Sequence, residues 1–379
     1  MKVGIIGSGG REHALCHAIK KSDKVEQIYC IPGNAGTSTL AKNINLDIND
    51  FDLLKKFISK NHIDIIIVGP EKPLVNGIVD FLENSGIKVF GPNKIASKLE
   101  GSKIFTKDLC KKYHIPTASF GVFESLEKSL IFLNQCKFPI VVKADGLAAG
   151  KGVYICDTKK QSVNAVKEIF NGKFGKTDQV LIEEFLKGEE MSFFIISDGK
   201  NFKKFGTAQD HKRVGEGDVG LNTGGMGAYS PSRLEDNILD QKILNKIIKP
   251  TLKALEDMNT KFKGFLYAGL IIVKNEPYLI EYNVRMGDPE CQTILPRLKT
   301  NFFEVIDAVI NERLDLINID WYDSKTISIV LCSKGYPEEY TNNKEIKNLY
   351  EVELKENEFI FHAGTKIDKS KIVSNGGRV

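Results

Sequence analysis

Glu281, Asn283 and Arg285 stand at every second position of Pro277-Tyr-Leu-Ile-Glu-Tyr-Asn-Val-Arg285, an alternating run rich in aromatic and β-branched residues. Such a run reads as a strand, and its period of two projects the three side chains from one face of a sheet. A carboxylate, an amide oxygen and a guanidinium side by side suit Mg²⁺, which takes hard oxygen ligands, together with the phosphates it bridges. Gly287-Asp-Pro-Glu290 follows at once and adds two carboxylates on a rigid turn. An isolated E-x-N-x-R is more often an edge strand with a solvated face. Companions elsewhere in the chain reverse that judgement.

The loop Lys143-Ala-Asp-Gly-Leu-Ala-Ala-Gly-Lys-Gly152 empties from a strand-like run, Phe138-Pro-Ile-Val-Val-Lys143. Glycine and alanine there let backbone N–H groups approach a polyphosphate closely, with Gly150, Lys151 and Gly152 at the far end and Lys143 supplying charge. It is not a Walker A loop, because Gly152 stands where Ser or Thr must follow Lys151. Alone, a glycine loop between strands is more often a plain hairpin. Gly101-Ser-Lys103 is equally two-sided: a second phosphate lysine, or a solvated one at a helix start. Val180-Leu-Ile-Glu-Glu-Phe-Leu-Lys-Gly-Glu-Glu190 passes from an apolar strand to acidic residues. Such a segment can hydrogen-bond an adenine edge through its backbone and ribose hydroxyls through a carboxylate, although most acidic runs are merely solvated. Asp210-His-Lys-Arg213 then precedes residues 215–227, too glycine-rich to hold one shape without a ligand. That segment reads as a mobile lid over reacting phosphates, or else as a disordered surface loop.

Two further signals are weak. Gly7-Ser-Gly-Gly-Arg-Glu12 has Glu12 where a dinucleotide fingerprint needs its third glycine, so its glycines suit at most one phosphate. His13 and His17 share a helix face but lack the H-E-x-x-H pattern, and a packed or surface pair is the better reading.

These groups need elements to hold them. Residues 2–6 read as a buried strand turning through glycines into an amphipathic helix over 12–20. The pattern recurs as helices at 51–60 and 75–84 and strands at 63–68 and 88–90, which implies a parallel sheet covered on both faces. Beyond a helix at 103–113, a second small α/β unit spans 117–186. Strands at 191–196, 203–208 and 269–273 follow, with helices at 240–259 and 302–311 and a last strand at 326–332. No internal repeat or low-complexity tract is present.

With 379 residues, 42% hydrophobic and 27% charged, the chain is a globular protein of two to four units. A net charge of +4, carried by scattered lysine pairs, disfavours duplex nucleic acid and suits small anions. Seven dispersed cysteines without a C-x-x-C pair indicate reduced thiols. The short apolar start is no signal peptide and no segment is long enough to span a bilayer, so a cytoplasmic protein with no membrane or nucleic-acid partner is expected.

Taken together and in order, these motifs, with Pro32-Gly-Asn-Ala-Gly36, Val68-Gly-Pro-Glu71, Gly264-Phe-Leu-Tyr-Ala-Gly269 and His362-Ala-Gly-Thr365, closely resemble the phosphoribosylamine-glycine ligase family of the ATP-grasp superfamily. The likeness runs from Met1 to Val379. It implies an α/β fold: an N-terminal parallel-sheet (pre-ATP-grasp) domain at 1–101, a two-lobed ATP-grasp domain at 102–325 with a small lid lobe at 117–186, and a short β-rich domain at 326–379. It also implies the reaction, in which ATP, glycine and 5-phosphoribosylamine give glycinamide ribonucleotide, ADP and phosphate through a glycyl phosphate in de novo purine biosynthesis.

By that resemblance Lys103 and Lys143, with Gly150, Lys151 and Gly152, bind ATP phosphates. Glu183, Glu184, Phe185 and Leu186 hold the adenine and Glu190 the ribose. Glu281 and Asn283 ligate Mg²⁺ or Mn²⁺, and Arg285, Asp210 and Lys212 serve the reacting groups. Asp210, Gly287 and Asp288 are expected near glycine, and Gly9, Gly10, Asn34, Lys366 and Arg378 near phosphoribosylamine; a monomer is expected. The chain departs from the family pattern by stopping at Val379, where further elements usually follow and one strand would stay unpaired. A ligase for another carboxylate, a nucleotide-binding regulatory module and, more distantly, a nicotinamide dehydrogenase are the competing readings.

Overall fold

The computed structural model describes residues 1–147, 152–175, 177–217 and 219–379. Its first sheet is fully parallel, with spatial order Lys42–Asn43, Gln27–Pro32, Lys2–Gly7, Ile65–Val68, Lys88–Phe90. Ile65, Ile66, Ile67 and Val68 are all buried, as a strand covered by helices on both faces requires. Lys2–Gly7 lies at the centre, where the winding reverses direction. The crevice at the carboxyl ends of Lys2–Gly7 and Ile65–Val68 is therefore the switch point of the sheet, and the loops entering it carry Gly9, Gly10 and Glu71.

Two larger antiparallel sheets follow, besides two two-stranded hairpins among the described residues. The smaller has the order Phe120–Phe123, Val180–Glu184, Ile140–Ala144, Val153–Cys156. Helices Leu126–Leu133 and Lys159–Phe170 bury Leu133, Val166 and Ile169 against its Val142 and Ile182. The larger sheet has six strands: Glu276–Asn283, Lys263–Val273, Glu189–Asp198, Phe202–Asp210, Gly227–Ser230 and Thr326–Ile329. No helix among the described residues is long and apolar enough to cross a membrane, and all seven cysteines are free.

Several elements differ from the sequence reading for identifiable reasons. The helix expected at 75–84 is two, Glu71–Asn76 and Ile78–Glu83, divided at Gly77, whose φ of 93° ends the first. The helix expected at 240–259 carries a π turn at Leu244–Ile248 immediately before Lys249-Pro250. Proline has no N–H to give, and the widened turn accommodates it. Gln27–Pro32, an interior strand of the parallel sheet, is absent from the sequence reading. The glycine-rich segment after Asp210 forms a short hairpin, Arg213–Gly215 with Val219–Asn222. Thr326–Ile329 joins the six-stranded sheet by pairing with Gly227–Ser230; among the described residues no strand pairs with its other side, and Ile327 and Ile329 are exposed.

Candidate active site

The elements expected to bind a nucleotide assemble around one helix start. Ser102 caps Lys103–Lys112 by accepting from the Phe105 N–H at 3.1 Å, and its hydroxyl donates to Asp145 at 3.1 Å. Ile104 N–H also donates to Asp145, at 3.2 Å, and Lys103 Nζ donates to the Gly146 carbonyl at 2.9 Å. The first described residues of the glycine-rich loop thus dock on the positive end of the helix. Lys143, buried at the end of Ile140–Ala144, lies 2.9 Å from Glu183 Oε2 on the neighbouring strand. Burial, with the charge of Lys143, lowers the Lys103 pKa, while Glu281, Asp145 and Glu183 oppose that shift. Gly150 and Lys151 lie outside the described residues; the Gly152 carbonyl accepts from Ala144 N–H at 2.8 Å. Glu184 accepts from the Ser119 N–H at 2.9 Å, Phe185 is exposed and Leu186 half-buried.

A bulge aims the oxygen donors. Gly269 opposes Glu281 but Leu270 opposes Leu279, so Ile280 is an extra residue in its strand. Strict alternation from buried Leu279 sends residues 281 and 283 into the core; the bulge shifts the phase, so Tyr282 and Val284 are buried instead. Glu281 and Asn283 are left half-buried, with no side-chain hydrogen bond among the described residues. Gly269 makes room, since a Cβ there would stand 3.3 Å from Glu281 Cγ. A carboxylate and an amide oxygen, uncommitted and close to Lys103, fit a magnesium ion that takes few protein ligands and completes its shell with phosphate and water.

Arg285 lies past the strand end, where two glutamates take up its charge. Its Nη2 donates to Glu100 Oε1 at 2.6 Å, and its Nε stands 3.4 Å from Glu71 Oε2. Glu100 also accepts from Val284 N–H at 2.8 Å. The guanidinium thereby joins the end of the Glu276–Asn283 strand to the N-terminal crevice.

Asp210 ends Phe202–Asp210 with one carboxylate oxygen buried and unpartnered among the described residues. Burial first, then the charge of Glu290, pushes its pKa well above the carboxylate range. Glu290 accepts from Ser192 Oγ at 3.2 Å, and Ser192 in turn meets the Tyr267 hydroxyl at 2.9 Å. Gly287 lies against it, and a Cβ there would fall 2.1 Å from Glu290 Oε2, so the carboxylate would have to shift. Lys212 pairs with Glu190 at 2.8 Å; burial disfavours its charge, but Glu190, Glu281 and Asp210 hold it protonated.

Asp288 reaches the switch-point crevice. It accepts from Arg11 N–H at 3.2 Å and from Gln292 Nε2 at 2.8 Å, and Arg378 Nη1 lies 3.5 Å from its carboxylate. A Cβ on Gly9 would stand 3.1 Å from Asp288 Oδ2, and one on Gly10 2.4 Å from Gln292 Nε2. Arg378 also donates to the carbonyls of Asp288 and Gly224, so the late segment, the glycine-rich segment after Asp210 and, through Arg11, the first helix meet there. Lys366 is half-buried in Thr365–Asp368.

Asn34 is committed to the architecture. Its amide donates to the carbonyls of Ser8 at 2.9 Å and His362 at 2.8 Å, and its oxygen accepts from Gly36 and Thr37 N–H, each at 2.9 Å. Asn34→Ala strands these buried groups and is expected to cost about 2–4 kcal/mol. Urea denaturation checks this, and hydrogen exchange at Ala363 and Gly364 is expected to accelerate as the late segment loosens.

Three further residues belong to this network: Lys107, which shares Glu183 with Lys143, and Glu71 and Glu100, which pair with Arg285. Lys107 was detectable as the next residue on the Lys103 face of the helix. Glu100 carries no local signal.

An open parallel sheet followed by two antiparallel sheets, with buried lysines and uncommitted oxygen donors between them, defines an ATP-grasp carbon–nitrogen ligase. Family models for the N domain, the ATP-grasp (A) domain and the C domain of phosphoribosylglycinamide synthetase match residues 1–100, 101–291 and 326–379, and the chain belongs to that family. It is 44% identical to a phosphoribosylamine–glycine ligase of Brucella melitensis over all of this chain and 89% of the relative. Against the enzyme of that name from Caldanaerobacter subterraneus the identity is 46%, over 100% of this chain and 91% of the relative. The crystal structure of phosphoribosylamine–glycine ligase from Thermotoga maritima aligns with a TM-score of 0.86 and 34% identity, covering 100% of this chain and 91% of that one.

Proposed function

We propose that this chain uses ATP to join glycine to 5-phosphoribosylamine in purine biosynthesis, and that it does so through a glycyl phosphate. The observation that carries the reading is that Lys103 feels the charges of Lys143, Glu183 and Glu281, with Asn283 two positions beyond Glu281 on the same strand, while Asp288 lies against Gly9.

A glycine carboxylate is a poor electrophile. One of its oxygens takes the γ-phosphoryl group and ADP leaves; the amine of phosphoribosylamine then attacks the acyl carbon and expels phosphate. Phosphoryl transfer needs positioning and charge neutralisation more than covalent help from the protein. Lys103 and Lys143 supply fixed positive charge, and the backbone of Glu183 to Leu186 receives the adenine. Glu281 and Asn283 hold Mg²⁺ or Mn²⁺, which when bound neutralises phosphate oxygens. Asp210 receives the glycine ammonium, whose charge relieves the repulsion from Glu290. Arg285 enters as the residue that orients Glu71 and Glu100, because its charge is already matched by them. Gly9, Gly10, Asp288 and Arg378 line the place for the phosphoribosyl group. Free thiols support a cytoplasmic location.

ADP release is expected only when ATP, Mg²⁺, glycine and freshly prepared phosphoribosylamine are all present. Equal release without glycine rejects the reading, and preference for another carboxylate redirects it to a different ligase.

A further inference from the structure

Lys107 lies one helical turn beyond Lys103 and is 2% exposed. Its ammonium donates to Thr117 Oγ1 at 2.6 Å, lies 3.2 Å from Glu183 Oε1 and sits 5.4 Å from the centre of the Phe120 ring. Lys143 takes the other oxygen of the same carboxylate at 2.9 Å. Thr117 passes the connection on by donating to the Leu279 carbonyl at 2.6 Å, two residues before Glu281. One buried ammonium therefore ties the helix of Lys103 to the small-lobe sheet and to the strand of the oxygen donors.

Its charge matters as much as its bonds. Lys107, Lys143 and Glu183 are all nearly inaccessible, and together they carry one net positive charge. Burying an unmatched cation is unfavourable, and burial indeed lowers the Lys107 pKa against the pull of Glu183. A carboxylate shared between two lysines cannot fully neutralise either. With Lys107 removed, Glu183 and Lys143 become a matched buried pair with no charge left for an anion.

We propose that Lys107 is a positioning residue for nucleotide binding: by occupying one oxygen of Glu183 it keeps Lys143 electrostatically available to a triphosphate. The inference rests on the reading that ATP phosphates lie at Lys103 and Lys143.

The test is calorimetric titration of MgATP into the full chain and four variants, Lys107→Met, Glu183→Gln, the double variant Lys107→Met/Glu183→Gln, and Lys143→Met. Lys107→Met is expected to weaken binding about tenfold or more, with KM for ATP rising more than kcat falls. In the double variant Lys143 regains an unmatched charge, and affinity is expected to return to within about threefold of the parent. A packing role for Lys107 gives the opposite order, with the double variant at least as weak as the single one, and that result overturns the proposal. So does parent-like binding by Lys107→Met. Where Lys107→Met alone does not melt cooperatively, the double variant decides: parent-like affinity supports the proposal and a tenfold loss overturns it. Lys143→Met separates the two levels of inference. Unchanged binding there removes the phosphate placement and the proposal with it, whereas weakened binding beside an unaffected Lys107→Met removes only the role of Lys107.

Discussion

Replacing Glu281 by glutamine is expected to lower turnover by about 10²- to 10³-fold at saturating substrates, the scale of losing one preorganised electrostatic contact to a transferring group. Glutamine keeps the shape and one oxygen but removes the charge. Because Glu281 is half-buried and makes no side-chain hydrogen bond among the described residues, stability is expected to change by no more than about 0.5 kcal/mol. Activity and stability should therefore separate cleanly. Mn²⁺ titrated in the presence of ADP and followed by electron paramagnetic resonance is expected to bind at least about tenfold more weakly to the variant. Parent-like Mn²⁺ affinity and parent-like rates at limiting Mg²⁺ would remove Glu281 from the ligand set. A second variant tests the register that aims this carboxylate: deleting Ile280 leaves Leu279 and Glu281 as neighbours opposite Leu270 and Gly269, so residues 281 and 283 are expected to keep the face they now share and Mn²⁺ binding to persist.

That bulge illustrates what a sequence conceals. The pairing of Glu281 with Asn283 on one face follows from a period of two, but which face they share depends on Ile280, an unremarkable apolar residue whose extra place in the strand is visible only against Lys263–Val273. The parallel sheet was readable because its strands are continuous apolar runs bounded by glycine turns, although Gln27–Pro32, with its polar first residue and proline end, escaped notice. Lys103 and Lys143 were legible because each stands beside a glycine motif. Arg285 stands out in the sequence as a cation beside Glu281 and Asn283, but its partners do not: Glu100 is 185 residues away in the chain, and no local pattern pairs them. Asn34, expected at a substrate, is instead committed to bonds with Ser8 and His362, which only the folded chain brings together.

Arg285→Met is expected to be the most destabilising of the substitutions considered, because it leaves two carboxylates where one guanidinium served both. Glu100 has a side chain only 7% exposed, and breaking a buried pair of this kind costs about 3–5 kcal/mol. In a chain of 379 residues that corresponds to a fall in melting temperature of roughly 4–6 °C. The loss should depend on pH in a definite sense. Burial raises the Glu100 pKa even with Arg285 beside it, so between its unfolded and folded pKa values the folded chain holds a proton that the unfolded chain releases, and stability falls as pH rises. Without the guanidinium the Glu100 pKa moves higher and that window widens. Glu71, where burial is outweighed by Arg285 and Arg11, is held below the usual range; that contribution is present above its unfolded pKa and disappears as pH falls. Removing Arg285 weakens it. Both effects make the variant's deficit larger at pH 8 than at pH 5, and thermal melts of parent and variant at the two values measure it. A deficit of equal size at both would show that neither glutamate is held in its charged form by Arg285.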